Sequence, residues 1–289
     1  MIVPFAPGGT TDLIARLIAQ RLSERFGQQF VVENRSGAST NIATQAVVRA
    51  PADGYTLLLV TPPSAINASI YKDLPFNFMR DIAPIAGAVR APYVMEINPS
   101  VPAKTVPEFI AYAKANPGKL SMASAGVATG PHLTGELFKM ATGIEMTHVP
   151  YRGGAPALVD LIAGQVQLYF ASAPETIEHI KGGKVRALAV TAASRLDVLA
   201  DLPTLDAFVP GFEASYWVGF GAPKNTPPEI VDRLNREINA ALGDPTLQAR
   251  LAALGATALV GSPGDLGRLI AEQTEKWGKV VKFVGMKPE

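Results

Sequence analysis

The chain has 289 residues, enough for two domains of ordinary size, and 48% of it is apolar. Lys and Arg number 26 against 25 Asp and Glu, so the net charge of +1 provides no basic field for a nucleic acid backbone. The absence of cysteine excludes disulfides, thiolate metal sites and cysteine nucleophiles. No apolar run reaches the roughly 20 residues of a membrane-spanning helix. These features predict a soluble protein without nucleic acid as a partner and without direct membrane insertion.

The chain begins with Met1 followed by Ile2-Val3-Pro4-Phe5, which is typical of the end of a strand and not of a secretory signal peptide. We therefore expect that the natural start of the chain has been truncated or that Met1 was introduced for expression. The sequence contains no direct evidence of export. The histidines, His132, His148 and His179, are scattered without metal-ligand spacing. No metal site and no cofactor are predicted.

Helix-like and strand-like patterns alternate along the first part of the chain. Apolar residues recur at helical spacing from Leu13 to Phe26, and Gly27 marks the stop. A strand over 30–33 and a crossover helix over 42–48 follow. The continuous apolar run at 55–60 is typical of a strand buried on both faces of a parallel sheet. The pattern therefore predicts β-α-β units.

The same alternation continues to the end of the chain. It predicts helices over 106–115, 131–141, 156–163, 174–180, 230–242, 246–254 and 265–281, and strands over 120–124, 166–171, 185–190, 217–220 and 257–260. Pro131, Pro156 and Pro174 are predicted at first helical positions, where a missing amide costs nothing. Thr226 and Glu229 are predicted to form a capping box.

Proline-rich stretches at 98–102 and 202–211 are candidates for crossings between domains. We therefore expect a discontinuous domain 1, residues 1–99 plus 216–289, and a domain 2, residues 100–215.

Three glycine-bearing turns, at 6–11, 124–130 and 151–155, each lie between a strand-like and a helix-like run. Amides at a helix start lack partners and lie at the positive end of the helix dipole. Glycine lets a ligand approach the main chain, so such a turn is a candidate anion site. The repetition favours a small carboxylate or phosphate ligand.

Several segments resemble a known family. They are VPFAPGGTTD at 3–12, PADGYTL at 51–57, the loop from SAG at 124 to GPHL at 130–133, and VPYRGGAP at 149–156, with further matches at 203–205 and 217–228. These segments resemble those of the tripartite tricarboxylate transporter substrate receptors, the TctC or Bug family. The resemblance extends over essentially the whole chain.

The resemblance implies an α/β type II periplasmic binding-protein fold, with two lobes, mainly parallel central sheets and a ligand cleft between the lobes. It implies a periplasmic, non-catalytic receptor that binds a small organic carboxylate and delivers it to the permease subunits of a tripartite tricarboxylate transporter. Ligands of open α/β sheets lie beyond the carboxyl ends of the strands, where the glycine turns are expected. A monomer suits a diffusing receptor.

The resemblance also implies which loops bind the ligand. The first turn would hold a carboxylate through amides and through the hydroxyls of Thr10 and Thr11, although each threonine could equally be a helix cap. In the loop from 124 to 132, the hydroxyls of Ser124 and Thr129 would donate hydrogen bonds to the ligand. Gly126 would let the ligand approach the main chain. The expected ligand-binding residues are Phe5, Pro7, Gly8, Gly9, Thr10, Thr11, Ser64, Asn67, Ser124, Ala125, Gly126, Ala128, Thr129, His132, Tyr151, Gly153, Ser172 and Ala173.

Other residues near these turns keep two interpretations. Tyr151 fits a pocket wall or a hydroxyl donor, and Arg152 could be a carboxylate clamp or a solvent-facing side chain. Trp217 could contact the ligand but suits the core better. Asp12 is expected to interact with the positive end of the helix dipole and not with the ligand, because its carboxylate would repel a ligand carboxylate. At 37–41, where the family commonly has more glycines, Ser39 and Thr40 would narrow the cleft or make it more polar.

A hydrolase and an intracellular sensor are the alternatives to a receptor. The chain contains no nucleophile elbow, zinc pair, Walker A lysine or dinucleotide fingerprint. A hydrolase using Ser124 with His132 as base lacks an identifiable third group. The lack of a recognisable signal peptide favours an intracellular carboxylate sensor on the same fold, and the lack of a recognisable DNA-binding module disfavours it. The sequence leaves the identity of the acid open.

Overall fold

The computed structural model describes residues 1–71 and 73–285. The chain divides into two compact units, of which unit 1 comprises Met1–Arg90, Trp217–Leu251 and Thr257–Glu289, and unit 2 comprises Ala91–Tyr216 and Ala252–Ala256. None of the helices in the described part of the chain combines the length and the apolarity needed to cross a membrane.

The first half of the chain contains β1 (Ile2–Val3), α1 (Thr10–Phe26), β2 (Glu33–Asn34), α2 (Asn41–Val48), β3 (Leu58–Val60), α3 (Pro62–Ile66), α4 (Phe78–Asp81), β4 (Ile82–Ile97), α5 (Val106–Ala115), β5 (Ser121–Ser124) and α6 (Gly130–Thr142). The second half contains β6 (Thr147–Pro150), α7 (Gly154–Ile162), β7 (Leu168–Ser172), α8 (Ala173–Lys181), β8 (Arg186–Val190), β9 (Ser215–Pro223), α9 (Pro228–Leu242), α10 (Pro245–Ala253), β10 (Thr257–Ala258) and α11 (Pro263–Val284). The predicted α/β class is confirmed.

The sheet of unit 1 has the strand order β2-β1-β3-β9-β4-β10. Strand β1 is parallel to β2 and to β3, whereas β9 runs antiparallel to β3. The carboxyl ends of β1, β2 and β3 therefore lie at one edge, which we call the unit 1 edge. Behind it, β3 is fully buried, as its apolar run predicts, and Trp217 packs in the same hydrophobic cluster.

The sheet of unit 2 has the strand order β8-β4-β7-β5-β6, because β4 pairs with both β7 and β8. Strand β5 is parallel to β6 and to β7. The carboxyl ends of β5, β6 and β7 therefore share another edge, which we call the unit 2 edge. Each of these strands leads into a helix, α6, α7 and α8 respectively.

Helix ends follow the local chemistry that the sequence predicts. Helix α1 buries Ile14, Leu17, Ile18 and Leu22 on one face and ends at Gly27, whose φ of 64° is left-handed. Glycine adopts this conformation without a Cβ penalty. Helix α5 has the predicted bounds, and Thr105 caps it by accepting a hydrogen bond from the Glu108 amide.

Some local predictions are wrong. Strand β4 was not predicted, because Pro84, Gly87 and Pro92 interrupt its apolar pattern. Helices α6 and α8 begin one residue before Pro131 and Pro174, and α7 begins two residues before Pro156, so none of these prolines is at the first position.

The predicted capping box at α9 is also wrong. The hydroxyl of Thr226 donates to the Pro223 carbonyl, and Pro227 is the N-cap of a helix that begins at Pro228. A proline N-cap has no side-chain oxygen with which to cap the helix.

Candidate functional site

The first glycine turn leaves β1 at the unit 1 edge and enters α1. Its N-cap, Gly9, is extended and provides no side-chain cap. Asp12 is buried and accepts hydrogen bonds from Gly8 N at 3.0 Å, Arg16 Nε at 2.9 Å and Asn34 Nδ2 at 3.0 Å. Burial alone would raise the pKa of Asp12, but these hydrogen bonds and the Arg16 charge outweigh it and lower that pKa. Asp12 therefore braces the turn from within.

The predicted contact residues of this turn differ in exposure. Phe5 is half-buried, Pro7 and Gly8 are exposed, and Gly9, Thr10 and Thr11 are buried. The Asn34 side chain also donates to Phe5 O at 3.0 Å. Since Asn34 ends β2, this bond joins the ends of β1 and β2.

The turn that follows β2 has a strained backbone. Ala38, Ser39 and Thr40 have φ angles of 45°, 48° and 77°, a left-handed region that costs a residue with a Cβ about 1–2 kcal/mol. These are positions that suit glycine, which has no Cβ. Asn67, one of the expected ligand residues, instead donates its amide to Ser39 O and Asn41 Oδ1. Ser64, another of them, lies with its Oγ 3.5 Å from Thr40 Oγ1.

At the unit 2 edge, the loop between β5 and α6 is closed by its own hydroxyls. Ser124 is fully buried, and its Oγ donates to Gly126 O at 3.0 Å and accepts from Gly126 N at 3.1 Å. Thr129 Oγ1 donates to the same carbonyl at 2.7 Å. In the structure, Thr129 Oγ1 is thus engaged within the loop, and the Ser124 hydroxyl lies within hydrogen-bond distance of both Gly126 O and His148 Nε2. Ala125 and Gly126 are half-buried, and Ala128 is buried with a φ of 60°.

His132 stabilises this loop by a hydrogen bond to its main chain. Its Nδ1 accepts from Ala128 N at 3.1 Å, which assigns the ring proton to Nε2, 3.7 Å from Glu136 Oε1. The ring stacks on His148 with centroids 3.6 Å apart and planes at 7°. Burial, and then the neighbouring His132, lower the pKa of His148 to about 3. Sequence spacing could not reveal this pair, because strand pairing of β5 with β6 brings His148 under the loop.

The imidazole bonded to Ser124 is that of His148, at 2.6 Å, and not that of His132. A base with a pKa of about 3 is poorly matched to removing a serine proton near neutral pH. In the part of the chain that the structure describes, no carboxylate is hydrogen-bonded to His148, so an orienting third group is missing. The arrangement does not have the features of a hydrolytic triad.

The β6–α7 turn contains Tyr151, Arg152 and Gly153. The Tyr151 hydroxyl donates to Asp160 Oδ2 at 2.6 Å, and burial followed by that bond raises the pKa of Tyr151 to about 12. In the structure this hydroxyl is engaged with Asp160, and the half-buried Tyr151 ring packs against the unit 2 core. Arg152 is exposed, and Gly153, with a φ of 137°, is the N-cap of α7.

The β7–α8 turn surrounds a buried carboxyl group. Glu175 Oε2 accepts from Ser172 Oγ at 3.3 Å and from Tyr169 OH at 3.4 Å. Burial raises the pKa of Glu175 to about 7, while those two donors lower it. A Cβ at Gly154 would overlap this carboxyl group, so a larger residue there would force the Glu175 side chain to move. Ala173 is fully buried and packs with Val94 and Ile177.

The helices at the two edges share one feature. The N-caps of α1, α6, α7 and α8 are Gly9, Thr129, Gly153 and Ser172, and none makes a side-chain cap bond. By contrast, α5 is capped by Thr105, and α11 has a capping box of Ser262 and Asp265. Helix α9 also lacks a cap, because its N-cap is a proline. Uncapped N-termini with glycine and a favourable dipole suit an anionic group.

The chain is similar to known receptors over its whole length. Residues 14–286 match the model of the tripartite tricarboxylate transporter family receptor, TctC. Protein BugT of Bordetella pertussis is 38% identical over 290 residues, which cover 99% of this chain and 89% of BugT.

Two solved structures of Rhodopseudomonas palustris proteins are also similar. One, solved with adipate, is 41% identical with a TM-score of 0.96, over 100% of this chain and 97% of that one. MatC, with bound malate, is 32% identical with a TM-score of 0.91, over 97% of each chain. These matches confirm the predicted periplasmic binding-protein fold. The chain belongs to the TctC family of tripartite tricarboxylate transporter receptors.

Proposed function

We propose that the protein is a periplasmic receptor that binds a small organic carboxylate, a di- or tricarboxylate or an aromatic acid, and delivers it to the permease of a tripartite tricarboxylate transporter. Family membership supports a solute-binding role. The adipate and malate bound by two relatives support a dicarboxylate.

One observation carries the proposal, namely the uncapped N-termini of α1, α6, α7 and α8 at the carboxyl ends of parallel strands. Main-chain amides there can bind carboxylate oxygens without a cationic side chain. The side chains at these turns brace the loops, as the bonds of Asp12, Ser124 and Tyr151 show. We therefore assign the ligand contacts to the main chain of the turns at 5–11 and 124–132.

The proposal is tested first by calorimetric titration with adipate and malate. Adipamide, which has the length of adipate without its charge, is the control. We expect saturable binding of at least one acid, no binding of adipamide, and unchanged ligand recovered after incubation. Bound acid should also raise Tm by mass action. A protein that hydrolyses an added ester or amide, or that binds neither acid, would contradict the proposal.

A variant pair at α1 tests the role of the uncapped end. A serine at an N-cap satisfies an amide of the first turn, so Gly9→Ser should compete with the ligand. Gly9→Ala adds the same Cβ without a cap, and the difference between the two variants isolates capping. We expect affinity to fall at least about threefold further in Gly9→Ser. Ser262→Ala, which removes the cap of α11, should lower stability by about 1 kcal/mol without changing affinity.

A further inference from the structure

A group of uncharged polar side chains is buried at the unit 1 edge. We call it the unit 1 polar cluster, and its members are Thr40, Asn41, Thr61, Ser64 and Asn67. Each is at most 9% exposed. They lie in the turns that follow β2 and β3, beside the first glycine turn, to which Asn34 joins the end of β2.

The orientation of the Asn67 amide is determined by its neighbours. Its Nδ2 donates to Ser39 O and to Asn41 Oδ1, the latter at 2.8 Å. Flipping the amide would place its oxygen against the carbonyl oxygen of Ser39, so the hydrogen-bond network assigns Nδ2 to that side. Asn67 Oδ1 therefore points away from these partners, and among the residues that the structure describes it has no hydrogen-bond donor although it is buried.

Thr61 provides a second unpartnered group in the same cluster. It is 1% exposed and is the N-cap of α3, yet its side chain makes no cap bond. Its Oγ1 is buried and has no partner in the described part of the chain. Buried polar atoms are normally satisfied, because leaving one unpaired costs the full desolvation of that atom.

The chemistry of these two atoms indicates what they would bind. Asn67 Oδ1 only accepts hydrogen bonds, so it repels a carboxylate oxygen and needs an O–H or N–H donor. A threonine hydroxyl can donate to or accept from the same group. An alcohol is a group that suits atoms of both kinds, since it can donate its proton to an amide oxygen and accept from a threonine hydroxyl.

We propose that the unit 1 polar cluster binds an alcohol group of the ligand, so that the preferred ligand is a hydroxylated organic acid. This inference rests on the proposed carboxylate-binding function. The carboxylate of the ligand is bound by the main chain of the neighbouring turn. The cluster forms hydrogen bonds with the ligand hydroxyl.

The test compares acids that differ only by one hydroxyl. Succinate is titrated against malate, glutarate against 2-hydroxyglutarate, and adipate against 2-hydroxyadipate, each hydroxy acid in both enantiomers. In the best-bound pair we expect one enantiomer of the hydroxy acid to bind at least about tenfold more tightly, as sites that pair a ligand hydroxyl do. Equal affinity, or tighter binding of the deoxy acid, would overturn the inference and leave the proposed function standing. Failure of every acid to bind would remove both.

Thr61→Val keeps the side-chain shape and removes the hydroxyl. It should reduce the hydroxy-to-deoxy affinity ratio at least threefold. The matched control is Thr134→Val, because Thr134 Oγ1 is also buried and unpartnered but lies within α6, outside the cluster. An unchanged ratio in Thr61→Val, or an equal loss in both variants, would overturn the assignment of the alcohol to this cluster.

Discussion

The two edges use the same arrangement of parallel strands and uncapped helices, but different chemistry braces their turns. At the unit 1 edge, an ionised Asp12 with Arg16 and a set of uncharged polar groups hold the loops. At the unit 2 edge, the supports include the stacked pair His132 and His148, and the carboxyl group of Glu175. The comparison teaches that one arrangement of parallel strands and helix N-termini can be supported by groups with different responses to pH.

The edges also differ in how tightly the main chain is packed. In unit 2, Gly130 lies directly against the phenol ring of Tyr93, which is 1% exposed. In unit 1, the turn at 38–40 tolerates three successive residues with a Cβ at positive φ. The response to pH and the packing of the main chain can be tested separately.

The largest effect is expected for Gly130→Ala. A Cβ at this position would lie 2.6 Å from Tyr93 Cζ and closer still to the hydroxyl, so the buried ring must move. We expect a loss of about 3 kcal/mol in the free energy of unfolding, measured by urea denaturation. The control is Gly267→Ala within α11, where the nearest atom is Pro84 Cγ at 3.7 Å. It should be neutral or stabilise by up to about 1 kcal/mol. Equal effects in the two variants would contradict the packing at Gly130.

The second effect is a loss of stability as the pH rises from 4.5 to about 7, and it arises in unit 2. The pKa of Glu175 rises from 4.5 to about 7 on folding, and that of Glu96 rises well above 4.5, both chiefly by burial. A raised carboxyl pKa gives stability that is complete below pH 4.5 and is lost as pH rises through about 7. The shift corresponds to roughly 2 kcal/mol for Glu175 after allowing for its partial exposure.

Glu175→Gln should make the fall in stability between pH 5 and pH 8 less steep, measured as Tm against pH, while the contribution of Glu96 remains. The pKa of Asp12 is lowered, so its contribution in unit 1 is present above pH 3.8 and is lost only as pH falls below that value. Asp12→Asn should therefore leave the decline between pH 5 and pH 8 intact. A Glu175→Gln profile that declines as steeply as that of the unaltered protein would contradict the assignment.

The third effect concerns the Asp12 brace itself. Asp12→Asn removes the ion pair with Arg16 and one acceptor for the bonds from Gly8 and Asn34. We expect a loss of about 1–2 kcal/mol near neutral pH, since hydrogen bonds to a buried charge are stronger than average. Glu275→Gln breaks an exposed pair with Lys279 on α11 and should have no measurable effect. If the two variants behaved alike, Asp12 would not be a brace.

The smallest effect is expected at the strained turn. Ala38 is exposed and has a φ of 45°, so Ala38→Gly should relieve strain and stabilise the protein by up to about 1 kcal/mol. Ala252→Gly, at an exposed position within α10, should instead cost about 1 kcal/mol. A loss of stability in both variants would show that the turn at 38–40 is not strained.

The sequence predicted the α/β class, the bounds of α5 and the end of α1 correctly, because these depend on local periodicity and glycine stops. It missed β4, because prolines and a glycine interrupt a strand whose pairing is decided by distant segments. The turns of the candidate site were located by their glycines before helix starts. The roles of their side chains were not predictable, because loop conformation and strand pairing decide which partners each side chain meets.

Ser124 and Asn67 illustrate this limit. Ser124 bonds to His148, which is 24 residues away, and Asn67 bonds to Ser39, which is 28 residues away. Only strand pairing and loop packing bring these groups together. Hydroxyl and amide side chains near a glycine turn therefore indicate a polar site, but not whether they face a ligand or support the loop.

A crystal structure of the protein with bound malate or adipate would test the central claim most directly. We predict that carboxylate oxygens lie about 2.7–3.2 Å from main-chain amide nitrogens at the starts of α1 or α6. A carboxylate held instead by a cationic side chain such as Arg152, or bound away from these turns, would contradict main-chain capture.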